Sequence, residues 1–211
     1  IGVTLCYMNV PIMKNMASSH QVMNTSFDPL KIVNTYGAFG SVTKERTEIV
    51  IEGLIPTVDE AYNSSYVADG NNWLEYQFFC KPGNVNRMPC LISPYHYRLD
   101  WLLWFAAFQS YQHNPWLLHL MGKLITKPEE VSDLIAINPF SVDNPPKYIR
   151  ALHYKYNFNP WNWDMLAGNI SAVSKHGPMW WQRKYLKEYV PVVDINVLLP
   201  VYRQMKWKMP A

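Results

Sequence analysis

Cys80 and Cys90 flank Lys81-Pro-Gly-Asn-Val-Asn-Arg-Met-Pro89, and these are the residues best placed for covalent chemistry. A loop carrying Pro-Gly can turn back on itself and bring two thiols together for oxidation. Such a bridge would restrain the unfolded chain by roughly 2–3 kcal/mol. The alternative is a pair of reduced, buried thiols, with Cys6 left over as a buried or membrane-proximal residue. Three Asn-x-Ser sequons stand in polar stretches that read as loops, at Asn24, Asn63 and Asn169. Each is a candidate for N-glycosylation. Sequons and a close cysteine pair together favour an oxidising, secretory compartment.

The other reactive groups are dispersed. His96, Arg98 and Asp100 lie inside Ser93–Phe108, a stretch that also holds Tyr95, Tyr97, Trp101, Trp104, Phe105 and Phe108. Polar groups beside aromatic rings could form an active site. They could equally form a structural cluster, with Asp100 complementing a helix N-terminus and Arg98 pairing with a carboxylate. The six histidines include no pair spaced for zinc on one helix face, and no metal site is expected. Phosphate loops, dinucleotide fingerprints and nucleophile elbows are absent, so no cofactor is expected. The net charge of +3 is too small to argue for nucleic acid. The one basic cluster, Gln182–Lys187, reads as a solvated strand or loop.

The elements that must hold these residues follow from periodicity. Aromatics at 15% and charged residues at 17% exclude a disordered chain, and 211 residues suit one large domain. Strands are expected at Lys31–Tyr36, Arg46–Glu52 (half-exposed), Trp73–Cys80, Tyr148–Phe158 and Trp180–Val193. Helices are expected at Tyr97–Tyr111 and from Pro115, with Asn114 as N-cap and Leu117, Leu120, Met121, Leu124 and Ile125 inward. A capping box, Thr126–Glu129, should open a third short helix with Val131, Leu134 and Ile135 inward. Asp194 should cap a last helix bent at Pro200. The class is therefore α+β: an antiparallel, sandwich-like sheet with an inserted group of about three helices and a C-terminal helix. Trp101–Gly122 carries no charge, but Gln109–Pro115 is too polar for a membrane span. Ile1–Met13 is either an N-terminal strand or the end of a membrane helix.

Asn34-Thr-Tyr-Gly-Ala-Phe-Gly-Ser-Val-Thr-Lys-Glu-Arg-Thr-Glu48 closely resembles the signature of the lipase maturation factors. So do Glu75–Gly83, Pro94–Phe108, Asn138–Phe140, Tyr148–Arg150, Tyr154–Tyr156 and Trp180–Arg183. The resemblance runs from about Gln21 to Lys208. It implies a multi-span membrane protein of the endoplasmic reticulum that helps secreted lipases, lipoprotein lipase and hepatic lipase among them, to reach an active fold. Residues 1–20 would then be the end of a membrane span and a linker, and 21–211 a single luminal domain. No catalytic residue carries over, and other luminal chaperones are conceivable partners. The loop tryptophans Trp161, Trp163, Trp180 and Trp181 are candidate client anchors, or else plugs of the sheet edge. A purely structural luminal cap is the competing role. Under either role, Pro94–Phe108 is expected to be the buried joint between sheet and helices.

Overall fold

A computed structural model describes residues 1–37, 40–43, 45–55, 72–90, 96–159 and 180–208. They fall into two units, Ile1–Arg46 and Thr47–Ala211. In the first unit, Gly2–Ala17 forms helix α1 rather than a strand. Its apolar residues Val3, Leu5, Tyr7, Val10, Met13 and Met16 are exposed. No described helix is long and apolar enough to cross a membrane. Asn15 ties the end of α1 to strand β1 (His20–Val22), exchanging two 2.9 Å hydrogen bonds with the main chain of Val22. β1 pairs antiparallel with β4 (Ser41–Thr43), and β2 (Thr25–Ser26) with β3 (Asn34–Thr35).

The strand expected over Lys31–Tyr36 shrinks to β3, and Asp28 is the cause. Its carboxylate accepts from the amides of Leu30 (2.9 Å), Ile32 (3.2 Å) and Val33 (2.8 Å). Amides spent on a side chain cannot enter a ladder. The same bonds, that from Val33 foremost, hold the Asp28 carboxyl below the usual carboxylate range.

The second unit is built on a four-stranded sheet in the order β6-β5-β7-β8, made of Leu74–Glu75, Arg46–Leu54, Tyr148–Phe158 and Trp181–Val193 respectively. β5 pairs antiparallel with β6, as β7 does with β8. Between β6 and β7 come α2 (Arg98–Ala106), a 3-10 turn at Tyr111–His113, α3 (Pro115–Thr126) and a second 3-10 segment at Pro128–Leu134. Helix α4 (Ile195–Gln204) closes the chain, with Asp194 Oδ1 accepting from the Val197 amide at its N-cap. The α+β class with an inserted helical group is thus observed. One core joins Ile49 and Ile51 of β5, Leu103 and Ala106 of α2, Leu117, Met121 and Leu124 of α3, Ile149 and Ala151 of β7, and Leu198 and Tyr202 of α4.

Three expectations change. β5 is buried on both faces from Glu48 to Leu54, because it is an inner strand flanked by β6 and β7. The strand at Trp73–Cys80 reduces to β6 and one bridge, Gln77 to Ile137, because Asp100 takes the amides of Cys80 and Lys81. The capping box does not form: the Thr126 hydroxyl donates back to Gly122 O at 2.8 Å, and the following residues wind as a 3-10 segment with Leu134 exposed.

Gly122 gives a sharp packing test. A Cβ there would stand 2.8 Å from two carbons of the Tyr202 ring. That ring is fully buried, and its hydroxyl donates to His119 O at 3.0 Å, so it has no room to yield. Alanine would gain about 1 kcal/mol of helix propensity. Overpacking at a rigid contact costs about 1–3 kcal/mol, occasionally more. Gly122→Ala should therefore lower Tm in thermal unfolding by several degrees. An unchanged or raised Tm would mean that the ring moves aside.

Candidate functional site

The joint between sheet and helices is assembled from main-chain groups that side chains capture. Cys80 and Cys90 are disulfide-bonded, with Cα atoms 5.3 Å apart. Asp100, on the first turn of α2, accepts from Cys80 N at 2.6 Å and Lys81 N at 2.9 Å through one oxygen, Oδ2. The Arg87 guanidinium donates to the carbonyls of Phe78 and Phe79. Tyr156 OH donates to Gly83 O (2.9 Å) and Trp181 Nε1 to Arg87 O (3.0 Å), so strands β7 and β8 hold the same loop. Burial pushes the Tyr156 phenol up to about 12, keeping it neutral and able to donate. The Lys81 ammonium stands 3.6 Å from Glu48, both side chains almost wholly buried.

Two further ion pairs run across the sheet, one between the neighbours β5 and β7 and one between the edge strands β6 and β8. Arg150 of β7 meets Glu52 of β5 at 2.8 Å and lies 4.2 Å from the centroid of the Trp73 ring. Arg183 of β8 meets Glu75 of β6 at 2.5 Å and covers Tyr154 at 4.8 Å. Burial raises the Glu52 carboxyl, and the bond to Arg150 opposes that rise. Beside them an open depression is lined by Arg150, Leu152, Tyr185, Glu188, Pro191 and Val192. On β7, His153 is buried, and burial, followed by the charge of Lys187, lowers its pKa.

α2 turns Asp100, Leu103 and Ala106 inward. Its rings go the other way. Tyr97 is 37% exposed, Trp101 40% and Phe108 53%. Trp101 stacks on Phe105 at 5.5 Å, and Phe108 meets Trp104 edge-on at 5.0 Å. Tyr97 stacks on Phe79 at 4.9 Å. The result is a half-exposed aromatic ledge, and from Trp101 onward it lies on a length of chain without Lys, Arg, Asp or Glu. The expectation that this stretch is simply a buried joint is corrected. A nine-residue helix carrying this many rings buries one stripe, and small residues such as Ala106 and Ala107 fill it.

The expected polar cluster does not assemble. Residues two apart on a helix point to nearly opposite faces. Asp100 is buried, whereas His96 and Arg98 are exposed. Among the described residues, no group of three His, Cys, Asp or Glu could hold a metal. Trp181 is buried against Tyr156 and Phe158, so it plugs the sheet and is not presented as a client anchor. Trp180 is half-buried beside Phe158. Trp161, Trp163, Asn63 and Asn169 lie outside the described residues. Asn24 is exposed, with φ 59°.

The family model described as the lipase maturation factor C-terminal domain matches residues 32–191. The chain belongs to the lipase maturation factor family. Lipase maturation factor 1 of Homo sapiens is 46% identical over 211 residues, which is 100% of this chain and 34% of that protein. Its Mus musculus counterpart is 47% identical over 210 residues, again 34% of its length. Lipase maturation factor 2 of Homo sapiens is 36% identical over 173 residues, covering 79% of this chain and 21% of that protein. The chain thus spans about a third of the length of the factor 1 relatives. No solved structure matches it.

Within this lipase maturation factor domain, sequence reasoning overlooked Arg87, Lys81 and the acidic residues of β5. A signal was available for the last of these. Thr47, Ile49, Val50 and Ile51 place β-branched residues on both faces of the strand, which suits an inner strand better than a half-exposed one. The carboxylates Glu48 and Glu52 then required buried cationic partners.

Proposed function

We propose that this chain is the luminal, client-contacting domain of a lipase maturation factor of the endoplasmic reticulum. It acts without catalysis of its own on secreted lipases such as lipoprotein lipase and hepatic lipase, and is joined to a membrane part through residues 1–20. The observation that carries the reading is the match of the whole chain to proteins named for lipase maturation. The disulfide between Cys80 and Cys90 supports an oxidising compartment. α1, apolar around most of its circumference and exposed, supports a lipid or protein cover for that helix. The aromatic ledge of α2 supplies the contact surface: large rings, partly exposed and held by stacking, cost little entropy to immobilise on a partner.

The test uses the full-length protein in cells lacking their own maturation factor. Trp101→Ser with Phe108→Ser removes the two most exposed rings of the ledge and no core contact. Secreted lipase activity per unit of lipase protein should fall by roughly 10-fold, with the level and disulfide of the factor unchanged. Full activity in the double variant would remove the ledge as the contact. Rescue by the membrane part alone would make this domain a structural cap.

A further inference from the structure

We propose that Asn24 is an N-glycosylation site whose glycan the fold accommodates, an inference that rests on the luminal reading. Asn24, Thr25 and Ser26 form an Asn-x-Ser sequon at the bend between β1 and β2. Asn24 has φ 59°, the left-handed region that asparagine tolerates better than most side chains, and it is exposed. Its Oδ1 accepts from Gly37 N at 3.2 Å, which fixes the amide plane. Among the described residues nothing accepts from its Nδ2, the atom to which the sugar is joined. Ser26, whose hydroxyl completes the sequon, is exposed, and that hydroxyl donates to a surface carbonyl, that of Asp28, at 2.9 Å. A glycan here therefore displaces no core group. Apolar surface is also close by in the chain. Val22, two residues before Asn24, is 49% exposed, and Tyr36, beside Gly37, is 78% exposed. A bulky hydrophilic cover would shield both from water and from other chains.

The donor is an oligosaccharide carried on a lipid diphosphate. The bond from Asn24 Nδ2 to the anomeric carbon of the first sugar forms as the bond from that carbon to the diphosphate oxygen breaks. The diphosphate leaves with the electron pair, and the amide gives up one proton.

The test is glycopeptide mass spectrometry and gel mobility of the full-length protein from secretory-pathway cells, alongside Asn24→Gln, Ser26→Ala and Ser26→Thr. The expected result is a glycan on Asn24, loss of one endoglycosidase-sensitive step in the first two variants, and its retention in the third. Ser26→Ala leaves the Asn24–Gly37 bond intact, so a misfolded Asn24→Gln would not confuse the outcome. An unmodified Asn24 peptide overturns the proposal. If Cys80 and Cys90 then still resist thiol alkylation, the luminal reading survives. If they alkylate freely and Asn63 and Asn169 are also bare, that reading fails as well.

Discussion

Replacing Asp100 by alanine should lower the stability of the domain by about 3–5 kcal/mol, whereas Asp100→Asn should cost only about 1–2. The side chain is buried at the start of α2, and a single oxygen accepts two amides, at 2.6 and 2.9 Å. Hydrogen bonds to a charged group contribute about 1.5–3 kcal/mol each, and an amide left buried without an acceptor costs a comparable amount. Alanine removes both bonds and leaves both donors unmatched. Asparagine keeps an oxygen where both donors point and loses mainly charge, including about 0.3–1 kcal/mol of favourable interaction with the helix N-terminus. At about 2–4 °C per kcal/mol for a domain of this size, thermal unfolding under oxidising conditions should put Asp100→Ala about 10 °C below the parent. Asp100→Asn should fall well within that gap. Equal losses in the two variants would show that charge, and not the acceptor, holds residues 80 and 81. A loss typical of a surface change would show that the joint does not depend on Asp100.

The same residue explains why part of the fold was legible in the sequence and part was not. β7, β8 and α4 follow from local chemistry. Alternation marks Tyr148–Phe158, and the Asp194 carboxylate caps α4 from the adjacent position in the chain. The disulfide was legible as well, because its closing loop carries its own Pro-Gly turn. What sequence pattern could not give was the effect of partners distant in the chain. Asp100, 20 residues beyond Cys80, takes the amides that would have continued the strand expected over Trp73–Cys80. Glu52 reads as a solvent-facing residue until Arg150, 98 residues away, is seen beside it. The aromatic run after Tyr97 misleads for a different reason. Density of rings signals a large apolar area, but a short helix decides how much of it can be buried, and that depends on neighbours that periodicity does not see. The outer face of α2 is therefore a candidate contact surface that the sequence pattern did not suggest, while the loop of Trp161 and Trp163 lies outside the described residues.

A large coupling is expected between Lys81 and Glu48. Their charged groups are 3.6 Å apart, with side-chain exposures of 3% and 0%. Desolvating two charges costs several kcal/mol per ion, and the mutual attraction in a poorly polarisable interior repays that cost only while both are present. Lys81→Met alone leaves a buried carboxylate, and Glu48→Gln alone leaves a buried ammonium. Each should cost about 3–5 kcal/mol. The main chain of Lys81 is held by Asp100 independently of its side chain, so Lys81→Met probes the charge without disturbing that bond. The ammonium also donates to Pro82 O at 3.3 Å and lies 5.8 Å from the Phe78 ring centroid. Methionine can occupy the apolar part of that space with its flexible chain. The double variant should then be far more stable than the sum of the single losses predicts, because neither charge remains to be solvated. A double-mutant cycle in urea should return a coupling of several kcal/mol. Additive single losses would mean that water or another polar group already solvates one of the two charges, and that β5 holds Glu48 for a reason other than Lys81.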